Sequence, residues 1–397
     1  MVKNRIKIIG ITVVSHALTH VAELTFPATA LLVTAEFFGD RKEYAEIGFA
    51  TFVSALLFGV AALPSGRLVD RLGPRRVLLI SLFGTGLSLL ALSFAPDFTA
   101  FTVSLAFVGA FSGLYHPAGT TMITHGLEVH GKAMGAHGMG GNLGLAVTPF
   151  FAAALAGQLG WERAYFVIGL LPITMAFFVL FSGIDVVADD PKDVPGAELW
   201  PDKKKVLVLP LVVLFIMSIF NGMTYRGLMT FLPSYFAEAV HISWLPFEEM
   251  TVGGAMTTAI LLLGVVGQMG GGWLADRYKK EKLYTAIFFV TFPVLILLGQ
   301  ISDLPLVLAT GLFALLYFGN QPVGNSMLPR YAAPSAHGSI FGLYFFASFG
   351  MGSVMSGIAG WVGERYQLSA IFGMLGATLF VSAILGLLLI RSTRDLS

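Results

Sequence analysis

Twelve apolar runs follow one another along this sequence of 397 residues, each about long enough to cross a bilayer. Only 12% of the residues are charged, whereas soluble domains carry roughly 25%. The alternating segments of about ten residues that mark a membrane β-barrel are missing. The sequence therefore predicts an all-α membrane protein with twelve transmembrane helices. The predicted spans cover residues 8–36, 46–65, 77–95, 98–122, 133–157, 163–184, 206–237, 248–273, 284–301, 305–328, 338–361 and 368–390.

Composition excludes several classes of function. The chain has no cysteine and a net charge of +1, which argues against disulfides, thiol chemistry and nucleic-acid binding. It contains no HExxH, GxSxG or nucleotide-binding loop, so we expect no enzyme activity and no cofactor. The basic residues before the first apolar run do not make it a signal peptide, because the run is too long and lacks a small-residue cleavage site.

Lysine and arginine are distributed unevenly between the loops. With the N-terminus inside, 19 of the 24 basic residues fall in cytoplasmic segments and 4 in outer loops, with Arg226 inside a span. This bias predicts that both termini are cytoplasmic.

The two halves of the sequence repeat each other. A polar segment, 185–205, separates predicted six-helix units at 1–184 and 206–397. GRLVDRLGPRR at 66–76 matches GWLADRYKKEK at 272–282, and YHPAGTTM at 115–122 matches NQPVGNSM at 320–327. HGKAMG at 130–135 matches HGSIFG at 337–342, and Pro27 matches Pro233. All these offsets are close to 206 residues, so the chain is a tandem duplication with parallel topology.

GRLVDRLGPRR resembles the signature loop of the major facilitator superfamily, and twelve spans in two parallel repeats are the architecture of those transporters. HPAG at 116–119 with GMGGNLGLAVTP at 138–149 is similar to a bacterial branch related to fosmidomycin-resistance exporters. The resemblance implies a multi-pass protein of a bacterial or archaeal cytoplasmic membrane. It also implies a small-molecule substrate, protons and the lipid bilayer as partners, and we expect a monomer.

The resemblance gives the signature loops a role in conformational change. It implies that Asp70 faces the N-terminus of the eleventh helix when the cytoplasmic side is closed, where the helix dipole favours an anion. Asp276 is expected to act in the same way near the fifth helix. The resulting set of switch residues is Gly66, Asp70, Arg71, Arg75, Arg76, Gly272, Asp276 and Arg277. Drug/proton antiporters of the superfamily usually carry an Arg in the fourth span, whereas residues 98–122 of this chain contain no Arg or Lys.

The first span carries an unusual polar stripe. His16, His20, Glu23 and Pro27 fall on one helical face, and ionisable residues within a span are costly enough to suggest function. The resemblance implies that helices one, four, seven and ten line the central cavity. Because histidine titrates near pH 6.5, we expect Glu23, His20 and His137 to couple transport to protons.

The duplication places Arg226 of the seventh span opposite His20 in the repeat. A buried Arg needs a partner, and both Glu23 and an acidic substrate are candidates. Whether Glu23 carries the proton or serves only as the counter-ion is left open. The predicted substrate-binding residues are His16, His20, Tyr115, His116, Asn221, Tyr225, Arg226, Asn320 and Gln321.

These residues predict a proton-coupled secondary transporter of a small acidic organic molecule, working by alternating access. The branch resemblance favours export by proton antiport, and uptake by proton symport uses the same residues. The predicted site contains no metal. Transport of a transition metal held by His16 and His20 is a third alternative, because histidines four residues apart lie on one helical face.

Overall fold

The computed structural model describes residues 2–39, 43–127, 131–184, 207–241, 248–332 and 337–394. Within these ranges the chain is helical and contains no β-strand, which confirms the predicted fold class. Twelve helical segments in the described chain are long and apolar enough to cross a membrane. The predicted linker at 185–205 lies outside the described residues.

The spans are numbered here in chain order. Their bounds are Val2–Phe38, Tyr44–Leu72, Pro74–Leu92, Phe98–Gly113 with Tyr115–Gly126, Gly131–Leu159, Trp161–Phe181, Val208–Ala239, Glu249–Ala275, Lys280–Leu298, Asp303–Tyr317 with Asn320–Tyr331, His337–Phe345 continuing to Val354–Arg365, and Ala370–Ser392. Since spans alternate in direction, the start of span 1 and the end of span 12 lie on the same side of the membrane. We call this the terminal side, and the opposite side the far side.

Spans 4 and 10 are each interrupted in the middle, where the sequence predicted continuous helices. Both breaks come just before a proline, Pro117 in span 4 and Pro322 in span 10. Proline has no N–H to donate to the preceding turn, and its ring crowds that turn. The breaks occupy equivalent positions in the two repeats, and they place polar residues beside the membrane centre.

Span 5 packs closely against span 1 through glycines. A Cβ at Gly141 would overlap the imidazole ring of His16, and one at Gly144 would overlap the backbone of Ala17. The absence of side chains at these two positions lets the helices approach until His16 lies against span 5. Span 11 also contains a π-helical turn, Phe346–Gly350. That turn packs against Gly59 of span 2 and Gly222 of span 7.

The described halves are joined on the far side and at the membrane centre. On the far side the Tyr44 hydroxyl donates to the Glu238 carboxylate, and the Ala45 amide donates to Glu364 at 2.8 Å. On the terminal side Asp70 and Asp276 are both exposed, and a Cβ at Gly66 would meet nothing within 4 Å. The described contacts thus join the halves on the far side and at the membrane centre, whereas the signature loops of the terminal side are exposed.

Gly144→Ala should destabilise the protein by about 1–3 kcal/mol, because the added methyl group overpacks the contact with span 1. The measurement is thermal unfolding of the purified protein in detergent. Gly138→Ala is the matched control in the same helix, since a Cβ at Gly138 meets nothing within 4 Å. Equal unfolding temperatures for the two variants would contradict the packing argument.

Candidate substrate and proton site

An ion pair joins the two halves near the membrane centre. Arg226 Nη1 of span 7 donates to Glu23 Oε1 of span 1 at 2.5 Å. Only 3% of the Arg226 surface is exposed, and its guanidinium carbon lies 5.2–5.9 Å from the ring centres of Phe58, Tyr225 and Phe349. A charge in such surroundings is tolerated only when it is paired, so Glu23 is required wherever Arg226 is buried.

Two histidines extend this ion pair along span 1. His20 Nδ1 lies 2.7 Å from Glu23 Oε2, and His20 Nε2 lies 3.2 Å from His16 Nε2. His16 Nδ1 lies 2.7 Å from the backbone carbonyl oxygen of His137 in span 5. Arg226, Glu23, His20, His16 and the His137 carbonyl thus form one continuous chain of polar contacts.

The chain has a limited number of hydrogen-bond donors. The His137 carbonyl can only accept, so a hydrogen bond there needs His16 Nδ1 as its donor. Hydrogen bonds at all three contacts from that carbonyl to Glu23 would need three protons, whereas two neutral imidazoles supply two. One excess proton on Glu23, His20 or His16 would complete all three contacts.

A site that holds this excess proton would have a net positive charge. Arg226 contributes one positive charge, ionised Glu23 one negative charge and the excess proton one positive charge. With His116 and His137 neutral, the sum is one uncompensated positive charge in a low-dielectric region. An anion would neutralise it, and loss of the proton would do the same.

His116, His137 and Tyr115 surround this chain. The His137 ring stacks on His16 with centroids 4.2 Å apart, and the His116 ring meets His16 edge-on at 5.1 Å. The Tyr115 hydroxyl donates to the Thr12 carbonyl, so its proton is already used within the bundle. Tyr115 therefore positions span 4 against span 1. The next residue, His116, is only partly buried.

A small cavity of about 20 Å³, enough for roughly one water molecule, adjoins the ion pair. Spans 1, 2 and 4 form its walls, and Glu23, Phe58 and Arg226 lie at its edge. Nε and Nη2 of Arg226 have no hydrogen-bond partner among the described residues. An unpaired buried donor costs about 1–3 kcal/mol, so these two groups can take a ligand.

The remaining predicted binding residues lie in the C-terminal half. Asn221 Nδ2 of span 7 donates to Asn320 Oδ1 of span 10 at 3.1 Å. Gln321 accepts a 2.6 Å hydrogen bond from Gln268 of span 8, which in turn accepts one of 2.7 Å from Asn142 of span 5. This second polar chain connects the halves. Gln268 was not predicted from the sequence, although it is a polar residue inside a predicted span.

Comparison with known proteins agrees with this architecture. A family model described as Major Facilitator Superfamily matches residues 21–356 and 247–397. The chain belongs to the Major Facilitator Superfamily. The predicted transporter class, and the expectation that the chain is not an enzyme, are thereby confirmed.

Several curated relatives of this facilitator are named as transporters of organic acids. It is 27% identical over 59% of its length to the "Probable L-galactonate transporter" of Escherichia coli (strain K12) and 26% identical over 66% to the "4-hydroxybenzoate transporter PcaK" of Pseudomonas aeruginosa. These alignments span 54% and 64% of the two relatives. The D-galactonate transporter of E. coli O6:H1 is 23% identical, with 90% of this chain and 89% of the relative covered.

Solved structures show the same fold at low identity. A bacterial homologue of the human lysosomal transporter Spinster, in an inward-facing and occupied conformation, superposes with a TM-score of 0.83 at 14% identity. That alignment covers 98% of this chain and 97% of the other. The nucleoside transporter NupG has a TM-score of 0.77 at 13% identity, with coverages of 97% and 99%.

The predicted switch residues of this facilitator lie apart from the central site. Arg75 donates to the Leu180 carbonyl at 2.8 Å, at the end of span 6, where a cation complements the helix dipole. Arg277 packs on the ring of Trp273 at 3.6 Å. Arg71 and Arg76 are exposed, as are both signature aspartates, and Gly272 borders span 10 near Pro322.

Glu281 is a buried acid on the terminal side that was not predicted from the sequence. Glu281, at the start of span 9, accepts hydrogen bonds from Arg330 at 3.0 Å and from Tyr331 at 2.6 Å. It stands 206 residues after Arg75, so the repeat itself was the available signal. The contact ties span 9 to the end of span 10.

His16, His20 and His116 also form a group in which ring nitrogens lie within 4.8 Å of one another. This geometry is what the metal-transport alternative needs. However, the His16 and His20 nitrogens that face each other already share a hydrogen bond, and Arg226 stands beside Glu23. Positive charge next to the histidines disfavours a divalent cation.

Glu23→Ala should cost about 3–5 kcal/mol of stability, because it leaves Arg226 charged and unpaired in the bundle. The double variant Glu23→Ala/Arg226→Met should recover most of that loss. Chemical unfolding in detergent measures both, with Glu162→Ala at an exposed helix start as the control. Additive losses in the double variant would contradict a direct interaction between the two side chains.

Proposed function

We propose that this facilitator carries a small organic anion together with a proton across the cytoplasmic membrane. The observation that supports the proposal is the chain of polar contacts from Arg226 to His16. In the proposed loaded state this chain holds one excess proton and one uncompensated positive charge, so an anion completes it. The organic acids named for the relatives are consistent with such a substrate.

Glu23 is the coupling carboxylate in this proposal. When the excess proton is present, Glu23 shares it with His20, and Arg226 is free to attract an anion. When the proton leaves, Glu23 and Arg226 neutralise each other and the attraction for the anion disappears. Proton and anion therefore favour each other's binding. Because of this reciprocity, the proton and the anion cross the membrane together and in the same direction.

Symport is the mechanism that this reciprocity favours. Antiport would require the proton and the substrate to exclude each other from the site, which suits a cationic substrate better than an anionic one. The export by antiport expected from the similarity to fosmidomycin-resistance exporters is the competing outcome of the transport experiment below.

The proposed orientation places the terminal side in the cytoplasm, following the Lys/Arg bias of the loops. The side with the exposed signature loops then faces the cytoplasm. Closing that side would bring Asp70 and Asp276 toward helix ends of the opposite half, with the arginines around them and with Gly66 and Gly272 at the loop entrances. Opening the far side would break the Tyr44–Glu238 and Ala45–Glu364 contacts.

The remaining predicted residues have different proposed roles. His116 and Tyr225 border the space around the ion pair and can contact the substrate. His137 orients His16 through its carbonyl and its stacked ring. Asn221 Oδ1 has no hydrogen-bond partner among the described residues, and so it can accept from a substrate near Asn320 and Gln321.

Proton-coupled movement can be tested in proteoliposomes that contain a pH-sensitive dye. An inward gradient of a transported carboxylate should acidify the lumen in the wild type, whereas antiport would make it more alkaline. Glu23→Gln should abolish this proton flux while still allowing exchange of labelled for unlabelled anion, because exchange needs no net proton release. Wild-type proton flux in Glu23→Gln would contradict the assigned role of Glu23.

Arg226→Ala should lose at least tenfold in affinity for the anion, because the uncompensated charge is removed. Equilibrium binding of a labelled carboxylate in detergent gives the affinity, with Arg365→Ala on the far side as the control. Binding to the wild type should also strengthen as the pH falls, since the proton and the anion bind together. Unchanged affinity in Arg226→Ala would exclude Arg226 as the anion site.

The metal alternative has its own measurement. Zn²⁺ or Cu²⁺ should raise the unfolding temperature of the purified wild type no more than that of the double variant His16→Ala/His20→Ala. A stabilisation that only the wild type shows would instead support metal binding at the histidine group.

A further inference from the structure

Span 11 changes its helical geometry beside the central ion pair. The π-helical turn Phe346–Gly350 is followed at once by a 3₁₀ turn, Met351–Ser353. The Met351 amide donates to both the Phe346 and the Ala347 carbonyls, which are the acceptors of a π-helix and of an α-helix. Single π turns inside α-helices occur frequently at functional sites, so the residues that this turn carries are candidates for a role.

The two turns rotate one short part of span 11 without redirecting the rest of the helix. A π-helix advances by about 20° less per residue than an α-helix, and a 3₁₀-helix by about 20° more. The five π residues therefore lag by roughly 90°, and the three 3₁₀ residues regain roughly 60°. The part that is displaced lies around Phe349 and Gly350, which an unbroken α-helix would direct elsewhere.

The internal repeat shows that this distortion belongs to the second half. HGSIFG starts at 337 and HGKAMG at 130, so equivalent residues lie 207 positions apart here. Phe349 then corresponds to Asn142 of span 5, and span 5 is α-helical through that position. The π turn is therefore not a common feature of the duplicated unit.

Phe349 is the residue that the turn brings to the central site. Its ring centre lies 5.2 Å from the guanidinium carbon of Arg226, and it lies 6.1 and 6.0 Å from the ring centres of Phe58 and Tyr225. Those two rings are each 5.9 Å from the same guanidinium carbon. Three rings of the described chain thus surround one buried cation, all within the roughly 6 Å range of a cation–π interaction.

An aromatic ring attracts a guanidinium without using its N–H groups. Nη1 of Arg226 therefore remains available to Glu23, and Nε and Nη2 have no partner among the described residues. Phe349 and Tyr225 belong to the same half as Arg226. Glu23 and Phe58 belong to the other half. A relative movement of the halves would thus leave Phe349 and Tyr225 in contact with the cation.

We propose that Phe349 is a positioning residue, which the π-helical turn of span 11 places over Arg226 to hold the guanidinium toward Glu23. The ring fixes the side chain of Arg226 while its N–H groups stay free to exchange partners. Because Phe349 is in the same half, it keeps this orientation even when Glu23 moves.

The test weakens the electrostatics of the ring with little change in its shape. Trifluorophenylalanine in place of Phe349 removes much of the negative charge on the face of the ring. Chemical unfolding in detergent should show a folding equilibrium constant about three- to tenfold lower. The same replacement at Phe346, whose ring lies beside Gly350 in the same turn, is the matched control and should change the constant less than about twofold.

A second measurement shows whether the effect comes from the cation. In the double variant Glu23→Gln/Arg226→Met, which removes both charges of the ion pair, trifluorophenylalanine at position 349 should no longer weaken folding. If that variant does not fold, two substitutions in the otherwise unchanged protein decide. Phe349→Leu, which has no ring, should weaken folding as fluorination does, whereas Phe349→Tyr, which keeps an aromatic face, should retain most of the stability.

Three results would overturn the assignment of Phe349. They are an equal effect of fluorination at positions 349 and 346, an undiminished effect at 349 after both charges are removed, and equal stabilities of Phe349→Leu and Phe349→Tyr. Anion affinity in Arg226→Ala is a separate measurement. The proposed function therefore survives if only the ring contact fails, and the ring contact survives if no anion binds.

Discussion

A guanidinium that cannot lose its proton lies at the centre of this bundle, and much of the arrangement around it follows from that charge. Removing an ion from water is costly, so Arg226 must have a counter-charge in every state in which it is buried. Glu23 supplies that counter-charge from the other half of the molecule. The ion pair therefore also acts as a joint between the two halves at the membrane centre.

The ion pair is continued by a chain of polar contacts, which in the proposed mechanism accepts or releases a proton. His20 and His16 connect Glu23 to the backbone of span 5, and the close contact at Gly141 keeps His16 in place. Because each link depends on the donor or acceptor state of the next, adding or removing a proton alters the whole chain. A carboxylate on an isolated helix has no such neighbours, whereas Glu23 contacts His20 in its own half and Arg226 in the other half.

The internal duplication produced a scaffold in which equivalent positions have taken different chemistry. His20 and Arg226 are related by the repeat, as are Arg75 and Glu281, yet in each pair the charges or proton affinities differ. The two halves therefore share a packing geometry, including the broken spans 4 and 10, but carry different side chains within it. Glu23, whose equivalent position in the second half is Met229, pairs with Arg226 across the site, so the two halves are electrostatically complementary there.

Much of the fold could be predicted from the sequence, because helices in lipid must be about twenty residues long and apolar, and because repeats align by simple offset. The same patterns selected His16, His20, Glu23 and Arg226, since ionisable residues are rare in spans. Gln268 and Glu281 were not predicted. A single polar residue in or beside a span carries little signal until its neighbours in space are known.

The sequence by itself thus determined the number of spans, the duplication and the identity of the central charges. Only the tertiary structure decided which polar atoms remain unpaired, how the contacts from Arg226 to His16 connect and where the two halves touch. The physical reason is that burial and hydrophobicity are properties of local sequence, whereas hydrogen-bond satisfaction depends on distances between helices far apart in the chain.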